Sequence, residues 1–121
     1  MKSILLVEDD PFLTDIYTTK LKESGFGVRV ATTGEECLKM LSDKAPDLML
    51  LDIVLPGTDG WEVIRKIKKE DKFKDLKIII LSNLGQRVDV EKGLQLGAVK
   101  YFIKAHYTPS EVIAEIKKML E

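Results

Sequence analysis

Three short runs, SILLV (3–7), DLMLLD (47–52) and LKIIILS (76–82), are apolar at nearly every position rather than at every second one. Runs of this length are strand-sized. A strand apolar on both of its faces must be covered on both, which is the signature of a parallel sheet sandwiched between helices. The segments between these runs supply the cover. Phe12, Leu13, Ile16, Tyr17 and Leu21 recur at helical spacing, and so do Val63, Ile64 and Ile67 within GWEVIRKIKKE (60–70). Two further strand-like runs are GVRV (27–30) and VKYFIK (99–104). Three further helical segments are TTGEECLKMLSD (32–43), RVDVEKGLQLG (87–97) and 108–120, where Val112, Ile113, Ile116 and Leu120 face inward. Five strands and five helices in strict alternation predict an α/β fold, a doubly wound five-stranded parallel sheet with right-handed crossovers.

Helix ends are written into the chain. Asp10 and Pro11 open the first helix and Gly25 closes it. Thr33 with Glu36, and Thr108 with Glu111, have capping-box spacing, and Pro109 fits the first helical position. The 121 residues predict one domain over 1–121, with no internal repeat and no effector domain attached. Net charge is -1 with both signs interspersed, which gives direct nucleic-acid binding little support. A lone Cys37 excludes an internal disulfide and suits a reducing, cytoplasmic setting. MKSILLVEDD turns acidic too soon for a secretion signal, and no run approaches the length of a membrane span, so no membrane association is expected.

In a parallel sheet all strand carboxyl ends meet at one edge, where loops gather at the point of reversed strand order. Glu8, Asp9 and Asp10 follow the first strand, Asp52 ends the third, Ser82 and Asn83 end the fourth, and Lys104 ends the fifth. Singly, each has an ordinary explanation: a helix cap, a turn, a solvated charge. Together they form an acid cluster with one ammonium and one hydroxyl. Crowded carboxylates suit magnesium, which takes few protein oxygens. Magnesium, Lys104 and Ser82 around Asp52 could stabilise the charge of a transferring phosphoryl group, with Asp52 as covalent acceptor. No GxxxxGK[ST] or GxGxxG follows the first strand, so nucleotide binding is disfavoured. His106 is the only histidine, which argues against zinc.

ILLVEDD at the start, LLDIVLPGTDG around Asp52, ILS at 80–82 and YFIK at 101–104, with the spacing between Asp9, Asp52, Ser82 and Lys104, resemble a response-regulator receiver domain. The likeness, to chemotaxis-regulator-like modules of two-component systems, runs from Lys2 to Leu120. It implies the flavodoxin-like strand order 2-1-3-4-5. It implies that Asp52 accepts a phosphoryl group from a sensor histidine kinase or phosphotransfer protein. Asp9 and Asp52 would ligate magnesium, with Glu8 helping through water and the Val54 carbonyl completing the protein ligands. Ser82 would contact the phosphoryl group and Lys104 pair with it. Tyr101 would be the switch aromatic that turns inward as Ser82 moves. Pro56 and Gly57 would shape the loop after the acceptor. Such a domain assists its own phosphorylation and dephosphorylation, turns over no external metabolite, and signals to a downstream protein through the fourth helix, fifth strand and fifth helix. Homodimerisation is left open.

Ala105 stands where the family usually has proline after a cis bond. A cis bond before alanine costs about 2.5–4 kcal/mol, so trans is expected there. Two alternatives carry different predictions. A magnesium-dependent phosphohydrolase with an aspartyl nucleophile would need a second acid two residues after Asp52, where Val54 stands. A degenerate receiver, binding proteins without phosphate, would not need Glu8, Asp9, Asp52, Ser82 and Lys104 together.

Overall fold

The apolar runs pair side by side, as their composition requires. The computed structural model describes all residues from Met1 to Glu121. Its elements are β1 (Ser3–Val7), α1 (Pro11–Glu23), β2 (Gly27–Ala31), α2 (Gly34–Asp43), β3 (Leu48–Leu51), β4 (Val54–Leu55), β5 (Thr58–Asp59), α3 (Gly60–Lys69), β6 (Lys77–Ser82), α4 (Arg87–Gln95), β7 (Lys100–Ile103) and α5 (Pro109–Met119). Short 3-10 turns occupy Asp71–Phe73 and Lys104–His106. The main sheet is parallel throughout, in the order β2-β1-β3-β6-β7. With the small β4–β5 hairpin set aside, this is the order 2-1-3-4-5 counted along the chain.

Alternation within the apolar runs distributes them between two cores. Leu5, Val7, Met49, Leu51, Ile78 and Ile80 point to the side covered by α2 and α3, where Cys37, Leu41, Val63, Ile64 and Ile67 pack on them. Ile4, Leu6, Leu48, Leu50, Ile79 and Leu81 point to the other, under Tyr17 and Leu21 of α1 and Val112, Ile113 and Ile116 of α5. The central strands are therefore covered on both faces.

Phe12 departs from the expected helical stripe. It is 72% exposed, because α1 begins beyond the end of the sheet and its buried positions are Tyr17 and Leu21. The Thr33 cap holds the Glu36 N–H as expected, but the Glu36 carboxylate takes the Thr32 N–H instead of the reciprocal one. Thr108 and Glu111 form the full capping box. The β4–β5 hairpin lies outside the five expected strands. Pro56 and Gly57 make its turn, with Gly57 at φ +61°, where only glycine is unstrained.

Candidate functional site

Register aligns the strand ends. Val7 pairs with Leu51 on one side and Ala31 on the other, so the residues just beyond β1 and β3 emerge together. This is the switch point, since β2 lies to one side of β1 and β3 to the other. Two backbone bonds carry the alignment one residue past the strands, Glu8 N–H to Ala31 O and Asp52 N–H to Val7 O, each 3.0 Å. Glu8 and Asp52 are thereby fixed by main chain. Both are buried, at 2% and 6% exposure, which is rare for a carboxylate without a partner.

The partner is Lys104. Its Nζ lies 2.7 Å from Glu8 Oε1 and 2.7 Å from Asp52 Oδ2. The second oxygen of each acid is also engaged. Glu8 Oε2 accepts the N–H groups of Asp9 and Asp10 at 3.1 Å, and Asp52 Oδ1 accepts the Val54 N–H at 3.1 Å. Burial pushes the Glu8 carboxyl above the usual carboxylate range, against the hydrogen bonds from Lys104 and Asp10 that pull it down. Burial alone would depress the Lys104 ammonium, but its hydrogen bonds to Asp52 and Glu8 outweigh that and hold it above the ordinary lysine value. Lys104 is thus a fixed cation between two fixed anions.

Asp9 completes the cluster from the solvent side. Carboxylate oxygens of Glu8, Asp9 and Asp52 lie within 4.8 Å of one another. With Lys104, Asp10, Val54, Asn83 and Leu84 they line an open cleft of about 400 Å³. Three hard oxygen donors on a cleft wall fit magnesium, which keeps part of its water shell. Both oxygens of Glu8 and of Asp52 already carry a hydrogen bond, so Asp9, exposed on the cleft wall, is the carboxylate with both oxygens open to a ligand.

Ser82 and Tyr101 sit behind this cleft. Ser82 is fully buried and does not line it. Its Oγ accepts the Leu84 N–H at 3.3 Å. Tyr101 is half-buried against the α2–α3 core, and its hydroxyl donates to the Leu84 carbonyl at 2.5 Å. Burial pushes this phenol up to about 12. The aromatic is already inward. The Lys104–Ala105 bond is trans, as no peptide bond in the chain is cis. The turn after Lys104 is closed instead by Tyr107, whose ring meets Phe102 edge-on with centroids 4.8 Å apart.

Comparison with known proteins places this geometry. A family model described as the response regulator receiver domain matches residues 4–117. The chain belongs to the response regulator receiver family. The receiver is 41% identical over 104 residues to transcriptional regulatory protein AfsQ1 of Streptomyces coelicolor, covering 86% of this chain and 45% of the relative. It is 35% identical over 117 residues to transcriptional regulatory protein BaeR of Escherichia coli, covering 97% and 47%. The chain spans about half the length of the curated relatives it matches. Among solved structures, a CheY-like receiver domain protein from Methanospirillum hungatei superposes with a TM-score of 0.90 at 29% identity, covering 99% of this chain and 94% of that one. The BeF3-activated receiver domain of Klebsiella pneumoniae RstA gives 0.88 at 28%, covering 98% of each.

One part of the receiver's site, the main-chain link at Leu84, has no signal in the sequence, whereas Asp10 and Asn83 stand on the edge that the strand ends predict. Asn83 and Leu84 reach the cleft, and Leu84 ties Ser82 to Tyr101 through its own N–H and carbonyl. Main-chain groups carry that link, so residue type does not reveal it. Asp10 joins the cleft wall while also capping α1 through Phe12 and Leu13 N–H groups. No helix of the receiver is long and apolar enough to cross a membrane.

Proposed function

We propose that this receiver takes a phosphoryl group onto Asp52 from a phosphohistidine of a sensor histidine kinase or phosphotransfer protein, in the cytoplasm and with magnesium. One observation carries the reading. Asp52 is a buried carboxylate at the switch point, bonded to Lys104 and opening onto a cleft shared with Asp9 and Glu8. A structural acid would not need an open face, and a surface acid would not need this frame.

In the transfer, an Asp52 oxygen forms a bond to phosphorus as the phosphorus–nitrogen bond breaks, and the imidazole nitrogen leaves with its electron pair. Lys104 is already within contact of Asp52 Oδ2 and stabilises the charge carried by the incoming group. Asp9 and Asp52, with the Val54 carbonyl and with Glu8 through water, would hold magnesium, which when bound neutralises phosphoryl oxygens. The Val54 N–H, fixed on Oδ1, orients the acceptor. Ser82 Oγ would leave the Leu84 N–H for a phosphoryl oxygen. That exchange disturbs the Leu84 link to Tyr101, so the charge at Asp52 reaches the face made by α4, β7 and α5 as a shift between two packings. A downstream protein, or another segment of a longer chain, reads that face.

The test is the purified chain and its Asp52→Asn variant incubated with acetyl phosphate and magnesium. The parent is expected to gain up to one phosphate per chain, labile to acid, base and hydroxylamine as an acyl phosphate is, and the variant none. Equal incorporation would reject Asp52 as acceptor. No incorporation in the parent would favour a receiver that binds partners without phosphate.

A further inference from the structure

The inward ring of Tyr101 occupies space that exists only because α4 carries glycine at position 93. Gly93 is the one buried residue of α4. A Cβ built there would lie 2.8 Å from Tyr101 Cδ2, 3.1 Å from Tyr101 Cε2 and 2.7 Å from Ile80 Cδ1. The two contacts under 3.0 Å are not tolerated and the one at 3.1 Å is tight, so one neighbour would have to yield. The geometry points to Gly93 as a positioning residue, one that makes the inward state of the Tyr101 ring available and whose replacement by a residue with a side chain turns that ring outward. This rests on the reading of Tyr101 as the switch aromatic and extends it to what sets the balance between its two positions.

The candidates for yielding are not equally free. Ile80 has no exposed surface and sits in β6 between two paired strands. The Gly93 backbone is also held. Its carbonyl accepts the N–H of buried Ala98 at 3.1 Å, and the next residue, Val99, donates to Ile78 O at 2.8 Å. The end of α4 is thereby bolted to the sheet. Tyr101 is half-buried at the sheet's last strand, and a single hydroxyl bond to Leu84 O holds the ring's far end. The ring is the part with somewhere to go. Glycine within a helix is less favourable than alanine, so a gain elsewhere is needed to justify it here.

Trp61 provides an independent witness. It is the only tryptophan, it lies on α3, and Lys92 of α4 places its ammonium 4.7 Å from the indole centroid. Displacement of α4 as a body would move Lys92 and alter Trp61 emission. Rotation of the Tyr101 ring alone would leave it unchanged.

The experiment labels the full chain with 3-fluorotyrosine, which reports on Tyr17, Tyr101 and Tyr107 as three fluorine signals, with the Tyr101 signal assigned by Tyr101→Phe. Exposure is read from the relaxation produced by an uncharged gadolinium chelate. In the parent, Tyr101 should be shielded relative to Tyr107, which is 42% exposed. In Gly93→Ala, the Tyr101 signal should shift and its relaxation should rise to the level of Tyr107, with Trp61 emission unchanged. A Tyr101 signal identical to the parent's, or a change in Trp61 emission accompanying it, would overturn the assignment. Should Gly93→Ala fail to fold, the Ile80→Val, Gly93→Ala double variant removes the Ile80 Cδ1 clash and leaves only Tyr101 in the way. It carries the same expectation and the same overturning results. Acetyl phosphate with magnesium added to the parent separates the two readings. A parent Tyr101 signal that ignores the phosphodonor sinks the switch role of Tyr101, whereas an unmoved ring in the variant sinks the role of Gly93.

Discussion

At the scale of single residues the receiver is organised around Lys104. It bonds two buried carboxylates that would otherwise face each other without a cation, and its side chain keeps only 15% exposure. Removing one member of such a buried set leaves uncompensated charge and costs on the order of 3 kcal/mol, the lower end of the range because solvent still reaches Lys104. Lys104→Met is therefore expected to lower unfolding free energy in urea by roughly that amount, measured at neutral pH with chelator present. A variant as stable as the parent would mean the pair is screened and the acids relax apart. Cys37 illustrates the opposite case. Its thiol is pushed up to about 12 by burial and lies 3.6 Å from Met49 Sδ, so it behaves as a small core residue.

At the scale of elements, short side-chain clamps decide where strands begin. Asp47 Oδ2 accepts the Ser3 N–H at 2.7 Å while the Asp47 N–H bonds Ser3 O at 2.9 Å, fastening the start of β1 to β3. The Ser3 N–H bond holds the Asp47 carboxyl below its ordinary 3.8, a pull that exceeds the opposing effect of desolvation. A depressed folded value means that the clamp stabilises the fold above pH 3.8 and is lost as pH falls through the folded value. Asp47→Asn should therefore be less stable than the parent at neutral pH, by under about 1 kcal/mol because the group is exposed. Urea curves for the two proteins should converge as the medium becomes strongly acidic. A constant gap would show that the carboxylate charge plays no part. The sequence disclosed elements in proportion to their regularity. The three central strands β1, β3 and β6 were legible because burial on both faces forces continuous apolar runs, and α5 because Thr108, Pro109 and Glu111 name its first turn. The β4–β5 hairpin was not, since two-residue strands have no period to read. Phe12 was misplaced because helical spacing marks a stripe without saying where the sheet beneath it ends.

At the scale of the whole molecule, the acid edge is a local cost carried by the stability of the rest. The site residues on the cleft were legible because topology alone brings strand ends together; the main-chain link through Leu84 was not. Glu8, Asp9 and Asp52 converge on one cleft, and Lys104 supplies one positive charge against three negative ones. A divalent cation held there would relieve the remaining repulsion only in the folded chain, because the unfolded chain scatters these residues over more than forty positions of sequence. Binding to the folded state alone adds RT ln(1 + [L]/Kd), about 2.7 kcal/mol at one hundred times Kd. Magnesium should thus raise the thermal midpoint of the parent in a concentration-dependent way, and Asp9→Asn should lose most of that rise without losing the fold, since Asp9 is exposed and its side chain holds no structural hydrogen bond. Sodium at matched ionic strength should not reproduce it, because screening of an open cleft is nonspecific while ligation is not. Equal rises for magnesium and sodium, or for parent and variant, would leave the three acids as a charge cluster and remove the cation from the mechanism.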